Sequence, residues 1–145
     1  MHTITEYTRS TYRDINRTLL TGVVTDQAAE LIEVVASLPT TPGATYRTFW
    51  VDDITDYATQ LRASKAITFA AFSSTSRSSA VASRFNGNVK LNIQGKTGRD
   101  VAPMSDKPAE QETLYLPGLI CQIVKVRTVK IGGQVWSVEV ELIEL

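Results

Sequence analysis

The sequence predicts an α+β domain, with helices first and strands later. Three observations carry this: apolar residues at three- and four-residue steps early in the chain, period-two alternation late in it, and a Gly132-Gly133 turn between two long runs. With 145 residues there is room for one real core and little for a second, so residues 1–145 are expected to form a single domain.

In chain order, Thr8, Tyr12, Ile15 and Leu19 fall on one helix face, and Gly22 ends that run. A second helix is expected from Thr25 or Asp26, burying Ala28, Leu31, Ile32, Val35 and Leu38 until Pro39 stops it. Thr45 to Val51 is rich in β-formers and short enough for a strand. Asp52-Asp53 caps a third helix carrying Ile54, Tyr57 and Leu61. Ile67 to Phe72 reads as a strand running into Ser73-Ser74-Thr75-Ser76, and a short helix through Val81 and Phe85 breaks at Asn86-Gly87-Asn88. Val89 to Ile93 is a further strand, and a polar loop with Pro103 and Pro108 leads to Glu112-Thr113-Leu114-Tyr115-Leu116. After Pro117-Gly118, Ile120–Ile131 and Gln134–Leu142 form a hairpin, with Trp136, Val138, Val140 and Leu142 on its buried face.

Composition removes several function classes. Fifteen basic and fifteen acidic residues cancel, so bulk charge selects neither nucleic acid nor an anionic membrane. Cys121 is alone in an apolar run and reads as a small buried thiol, which leaves no disulfide and no multi-cysteine metal site. The one histidine, His2, lies beside a terminus, which argues against a Ser-His-Asp triad, a Cys-His pair and histidine-ligated zinc. Met1 to Glu6 lacks the apolar core of a signal peptide.

Three segments carry a polar group where a plain strand would not. Arg47 shares a strand face with Phe49 and Val51, so its guanidinium needs either an internal salt bridge or a phosphate. The hydroxyls of Ser74-Thr75-Ser76 follow a strand; Ser76 or Ser78 can cap the next helix, or a hydroxyl can orient a catalytic group. Glu110 and Glu112, two apart on an extended segment, point to the same side. They are either surface or a pair of carboxylates dividing the labour of glycosidic chemistry. Arg9, Arg13 and Arg17, four apart, form a basic stripe, either a solvated face or a grip for an acidic partner or RNA phosphates.

Taken together and in order, aromatic-Arg47, Ser74-Thr75-Ser76 and Glu110-Gln111-Glu112 resemble the arginine–serine–glutamate (R-S-E, with an ExE motif) class of mono-ADP-ribosyltransferases, which includes many bacterial toxin and effector domains. Glu6-Tyr7-Thr8 with Tyr12-Arg13-Asp14-Ile15-Asn16 and Leu19 is similar to that family's opening helix. Glu112 through Leu116-Pro117-Gly118 is similar to its closing motif. The resemblance implies N-terminal helices packed on two small, mainly antiparallel sheets around an NAD-binding cleft, NAD+ as co-substrate and no metal.

For single residues, the resemblance implies that Arg47 holds the NAD+ phosphates, Ser74 orients Glu112, and Glu112 stabilises the cationic sugar. It implies that Glu110 engages the nucleophile, arginine being the acceptor that accompanies a glutamate there. Thr48 stands beside the cofactor where many relatives have glycine. Phe85 stacks on nicotinamide and Tyr12 flanks the pocket, the alternative for each being a place in the core. Asn88 stands near where some toxins carry a second phosphate-binding arginine, a role open to Arg84 or Lys90, and the loop Lys107-Pro108-Ala109 lacks the aromatic that several protein-modifying toxins use. The implied function is ADP-ribosylation of arginine on a target protein, in the cytoplasm of a target cell reached through a larger delivery system. The alternatives are an RNA acceptor, NAD+ glycohydrolysis, or a degenerate binding module. A monomer is expected, with no membrane partner and with room for an immunity protein.

Overall fold

A computed structural model describes residues 2–145, the side chain of His2 apart, so the expectation placed on that side chain lies outside the described residues. The chain opens with α1 (His2–Glu6), a π-helical turn (Tyr7–Thr11) and α2 (Tyr12–Leu20) in one helical run. That turn changes which face is buried. Tyr7 and Ile15, eight residues apart, both enter the core with Ile4 and Leu19, whereas Tyr12 is 37% exposed. A regular α-helix at about 3.6 residues per turn aligns residues seven apart, and the π turn absorbs the extra one. The expected face through Thr8 and Tyr12 is therefore wrong by the width of that bulge. Gly22, with φ +82°, ends the run, the Val23 amide reaching back to the Thr18 carbonyl at 2.9 Å.

Helix α3 (Asp26–Ala36) starts where Thr25 accepts a hydrogen bond from the Ala28 amide at 3.1 Å, and it buries Ala28, Leu31 and Val35. Then follow β1 (Gly43–Phe49), α4 (Ile54–Ala63, capped by Asp53), β2 (Ala66–Phe69), β3 (Ser73–Ser76), the single turn α5 (Ser79–Ala82), β4 (Val89–Gly95) and β5 (Arg99–Asp100). Strands β6 (Glu112–Tyr115), β7 (Leu119–Ile131) and β8 (Gln134–Glu144) complete the chain, with the expected hairpin at Gly132-Gly133. Among the described residues no helix is long and apolar enough to cross a membrane.

The fold is the expected helix-then-strand arrangement, with one difference. Hydrogen bonding joins eight strands into one sheet, in the order β2-β7-β8-β4-β1-β3-β6-β5, rather than two. Only β4 and β8 run parallel. The strand expected from Ile67 to Phe72 ends at Phe69: Ala70 to Phe72 leave the ladder and Ser73–Ser76 forms a strand of its own, so β2 pairs with β7 and β3 with β6. Yet Phe69 faces Leu119 and Ser73 faces Tyr115, so each side advances by four residues across the gap. The two pieces keep one antiparallel register, and in the gap the Gly118 amide donates to the Phe69 carbonyl at 2.8 Å.

Two hydrophobic clusters flank the strands. One joins α4 to β4, β7 and β8; the other joins the three N-terminal helices to Phe72, Val101 and Leu114. Leu114 and Tyr115 are neighbours on β6, and alternation sends one into each cluster. Trp136 is not on the buried face as expected, being 66% exposed. Val129 pairs with Ser137 but Lys130 pairs with Val135, which leaves Trp136 as the extra residue of a β-bulge. Near the end of β8, the buried Glu144 carboxylate accepts hydrogen bonds from the Lys96 amide (2.6 Å), the Thr97 amide (2.9 Å) and the Thr97 hydroxyl.

Gly95 closes β4 against the Tyr115 ring, whose hydroxyl bonds Thr45 at 2.9 Å. A Cβ on residue 95 would lie 1.9 Å from that hydroxyl oxygen. Gly95→Ala is expected to cost about 2 kcal/mol through overpacking. Urea unfolding checks this, and an unchanged midpoint would show that the Tyr115 contact is slack.

Candidate active site

A cleft of about 420 Å³ opens between the N-terminal helical run, β1, β3 and the loop before β6. All seven residues singled out from the sequence border it: Tyr12, Arg47, Thr48, Ser74, Phe85, Glu110 and Glu112. They come from five separate stretches of chain, so the fold gathers them.

Arg47 sits on β1 opposite Leu91, on the face it shares with Phe49, and its guanidinium lies 5.0 Å from the Phe49 ring centre. Among the described residues no carboxylate pairs with it, so the internal salt bridge is not how this charge is accommodated. Burial lowers its pKa from the usual arginine value, and the phenols of Tyr7 and Tyr57 work weakly the other way. A half-buried guanidinium without a carboxylate is suited to an anionic ligand such as a diphosphate.

The hydroxyls after β2 divide their tasks by alternation. Thr75 turns inward and donates to the Thr113 carbonyl at 2.7 Å. Ser76 donates to the Glu110 carbonyl at 2.7 Å and accepts from the Ser78 amide, while Ser78 rather than Ser76 caps α5. Ser74 faces the cleft. Glu112 lies across from Ser76 and diagonal to Ser74, within reach of a hydrogen bond from the Ser74 hydroxyl.

Burial raises the Glu112 pKa above the ordinary carboxylate value; Ser74 pulls it partly back and the Glu110 charge pushes it up. Glu110 is placed differently from the expectation. It ends a 3₁₀ turn, Pro108–Glu110, and Gln111 adopts a left-handed conformation (φ 51°, ψ 48°) before β6 begins. The segment is not extended, and the two carboxylates reach the cleft from different supports.

Phe85 lies beyond the end of α5 and is 48% exposed, and Tyr12 stands edge-on to Tyr7 with ring centres 6.3 Å apart. Both belong to the cleft wall, not the core. Asn88 serves neither ligand nor cleft: its side-chain amide exchanges two 2.9 Å hydrogen bonds with the Val51 backbone. The basic stripe is largely neutralised, since Arg9 pairs with Asp106 at 3.3 Å and Arg17 with Asp14 at 3.2 Å, while Arg13 lies over the Tyr12 ring. Cys121 is buried as expected, and burial, with Glu144 adding to it, pushes its thiol up to about 11.

Among the cleft residues given no role from the sequence are Tyr7, Asn16 and Lys107. Tyr7 is the cleft floor, 1% exposed, tilted on Phe72 at 5.4 Å. Asn16 donates to its hydroxyl at 2.8 Å and accepts from the Phe72 amide at 3.0 Å, which ties the first helix to the start of β3. Burial pushes the Tyr7 phenol up to about 12. The signal was the nine-residue spacing of a tyrosine and an asparagine within one helical run, legible only once the π turn is known.

The family model described as ADP-ribosyltransferase exoenzyme matches residues 48–141. The protein Mav of Mycobacterium avium (strain 104), which carries the name of an NAD(+)–arginine ADP-ribosyltransferase, is 36% identical over 121 residues, covering 79% of this chain and 14% of Mav. The NAD(+)–protein-arginine ADP-ribosyltransferase Tre1 of Pseudomonas putida (strain GB-1) is 38% identical over 93 residues, covering 63% of this chain and 18% of Tre1. The chain thus spans under a fifth of either relative's length. Among solved structures, the ADP-ribosyltransferase Vis of Vibrio splendidus, crystallised with agmatine, superposes with a TM-score of 0.76 at 21% identity. That match covers 99% of this chain and 72% of Vis.

Glu112 gives a stability test. Its folded-state pKa is raised, so the favourable protonated form is fully present below the unfolded-state pKa and is lost as pH rises through the folded value. At neutral pH the partly desolvated carboxylate therefore opposes folding. Glu112→Gln is expected to be more stable than the wild type at neutral pH and to lose that advantage toward pH 4, measured by denaturant unfolding at both. A destabilised Gln variant at neutral pH would mean that the charge is compensated.

Proposed function

The chain belongs to the ADP-ribosyltransferase exoenzyme family, and on that premise we propose that it transfers ADP-ribose from NAD+ to an arginine side chain of a target protein. The observation that carries this reading is the convergence of a carboxylate pair, one member beside Ser74, with a half-buried arginine that no carboxylate among the described residues neutralises. The names of Mav and Tre1, and the guanidino compound bound to Vis, support a guanidinium as acceptor.

In this reading Arg47 grips the diphosphate, and the Phe49 ring beneath it limits where the guanidinium can point. Thr48, Phe85 and Tyr12 border the bound dinucleotide, with Phe85 against the nicotinamide. Ser74 fixes the Glu112 carboxylate, which accepts a hydrogen bond from the ribose and stabilises positive charge on the sugar as the bond to nicotinamide breaks. The bonding electrons leave with nicotinamide, which departs neutral. Glu110 holds the incoming guanidinium and takes the proton that the nitrogen sheds on forming the new bond to the ribose C1′. The family's description as exoenzyme supports a site of action in the cytoplasm of a target cell.

Incubation with NAD+ and agmatine, following nicotinamide release and ADP-ribosyl-agmatine separately, tests the reading. Glu112→Ala is expected to lower both by at least about a hundredfold. Glu110→Ala should abolish transfer while hydrolysis stays within a few-fold of wild type; equal loss of both would contradict the division between the carboxylates. Labelling a lysate with NAD+ should give protease-sensitive, nuclease-resistant product, and the reverse would assign RNA as acceptor. Because Glu112 must be ionised, nicotinamide release should fall as pH drops through a midpoint above the usual carboxylate range. That midpoint should move down in a variant lacking the Glu110 charge.

A further inference from the structure

Residues 101–111 carry Glu110 to the cleft, and at their far end Ser76 and Arg77 hold the backbone through the Glu110 and Gln111 carbonyls. A second set of bonds, from an element about a hundred residues away in sequence, fastens their middle. The Thr5 hydroxyl donates to the Met104 carbonyl at 2.7 Å. The Asp106 amide donates to the Thr8 hydroxyl at 2.9 Å, and the Asp106 carboxylate meets the Arg9 guanidinium at 3.3 Å. Thr8 spends its own proton on the Thr5 carbonyl at 3.0 Å, so its oxygen is left as an acceptor aimed at the loop.

Thr8 and Arg9 follow Tyr7 within the π turn. One turn of helix therefore provides both the cleft floor and the anchor of the loop. Three residues past Asp106 the chain reaches the Ala109–Glu110 step of the 3₁₀ turn, where the Glu110 amide donates to the Lys107 carbonyl at 3.1 Å. Short, internally bonded segments transmit the position of one end to the other.

We infer that Thr8 and Asp106 are positioning residues for Glu110, and that their contact sets how ADP-ribose is shared between a guanidinium acceptor and water. With the loop docked, Glu110 is held where a guanidinium can be gripped and deprotonated. With it loosened, Glu112 and Ser74 still cleave NAD+, since the strands β3 and β6 support them and the loop does not. This rests on the proposed role of Glu110 in engaging the acceptor.

The test compares Thr8→Val, which keeps the shape and removes the hydroxyl, with Thr8→Ser, which restores it. Agmatine and NAD+ are the substrates, and transfer and hydrolysis are followed together. In Thr8→Val, ADP-ribosyl-agmatine formed per nicotinamide released is expected to fall about fivefold, as for the loss of one hydrogen bond. The agmatine KM should rise, the NAD+ KM and hydrolysis should be unchanged, and Thr8→Ser should return the wild-type ratio.

A second series guards against misfolding of the valine variant. Arg9→Asp and Asp106→Arg singly should lower the ratio, and the double swap should recover part of it. A ratio equal to wild type in all of these, or parallel loss of transfer and hydrolysis, overturns the inference. Should the wild type release no nicotinamide, or Glu110→Ala keep full transfer, the functional reading itself fails and this inference with it.

Discussion

The pairing of β3 with β6 is the constraint on which the rest of the site depends. Ser76 faces Glu112 across that ladder, which sets Ser74 diagonal to the same carboxylate. Side chains alternate with a period of two, so a slip of one residue would turn Glu112 toward the opposite face and Thr113 into the cleft. The slip is prevented from both ends. Leu114 and Tyr115 are each wholly buried, one in each hydrophobic cluster, and both would be misplaced together. Across the interrupted stretch at Ala70 to Phe72, the same register continues into β2 and β7. Hydrophobic burial at a distance thus holds a polar contact that could not hold itself.

The cleft is where the fold departs from what stability alone would choose. A guanidinium on a strand face beside Phe49 and a carboxylate whose pKa is raised by burial are both unfavourable to fold around. Tyr7 lies between them without neutralising either. Its phenol is pushed away from ionisation by its own burial, and its hydroxyl is already engaged by Asn16. Two charges are kept apart, partly desolvated and uncompensated, in a site that borders the π turn and α2 of the N-terminal helical run. Groups so arranged interact strongly with a ligand that carries a diphosphate at one end and develops positive charge at the other.

Much of this was legible in the sequence, for identifiable reasons. Arg47, Ser74 and Glu112 each interrupt an apolar or β-rich segment with a group that needs a partner, and their order along the chain matched a known class. The hairpin at Gly132-Gly133 and the cap at Asp53 are local signals, and both stand as read. What could not be read depends on contacts distant in sequence or on an irregular backbone. The π turn shifts the buried face from Thr8 and Tyr12 to Tyr7, and no periodicity count anticipates an inserted residue. The bulge at Trp136 has the same cause. The break at Ala70 to Phe72 falls at the end of a run that reads as one strand, and Phe72 is still buried and Ala71 half-buried although they have left the ladder. Neutralisation of Arg9 by Asp106 crosses most of the chain.

The left-handed Gln111 is the misreading with most consequence. Had Glu110 and Glu112 shared one extended strand, both carboxylates would have hung from the same rigid ladder, and a change at one would have moved the other. Instead Glu112 is the first paired residue of β6, while Glu110 belongs to a 3₁₀ turn fixed by side chains from elsewhere. A non-glycine residue at φ 51° is an uncommon conformation, and here it is the joint between the two supports. Such a joint lets the loop vary its sequence, its anchors and its reach without disturbing Glu112. In the proposed function, the chemistry common to any acceptor rests on strands, and the part that must fit a particular acceptor rests on a loop. The π turn, which supplies both the cleft floor and an anchor of the loop, then ties the position of that loop to the floor of the cleft.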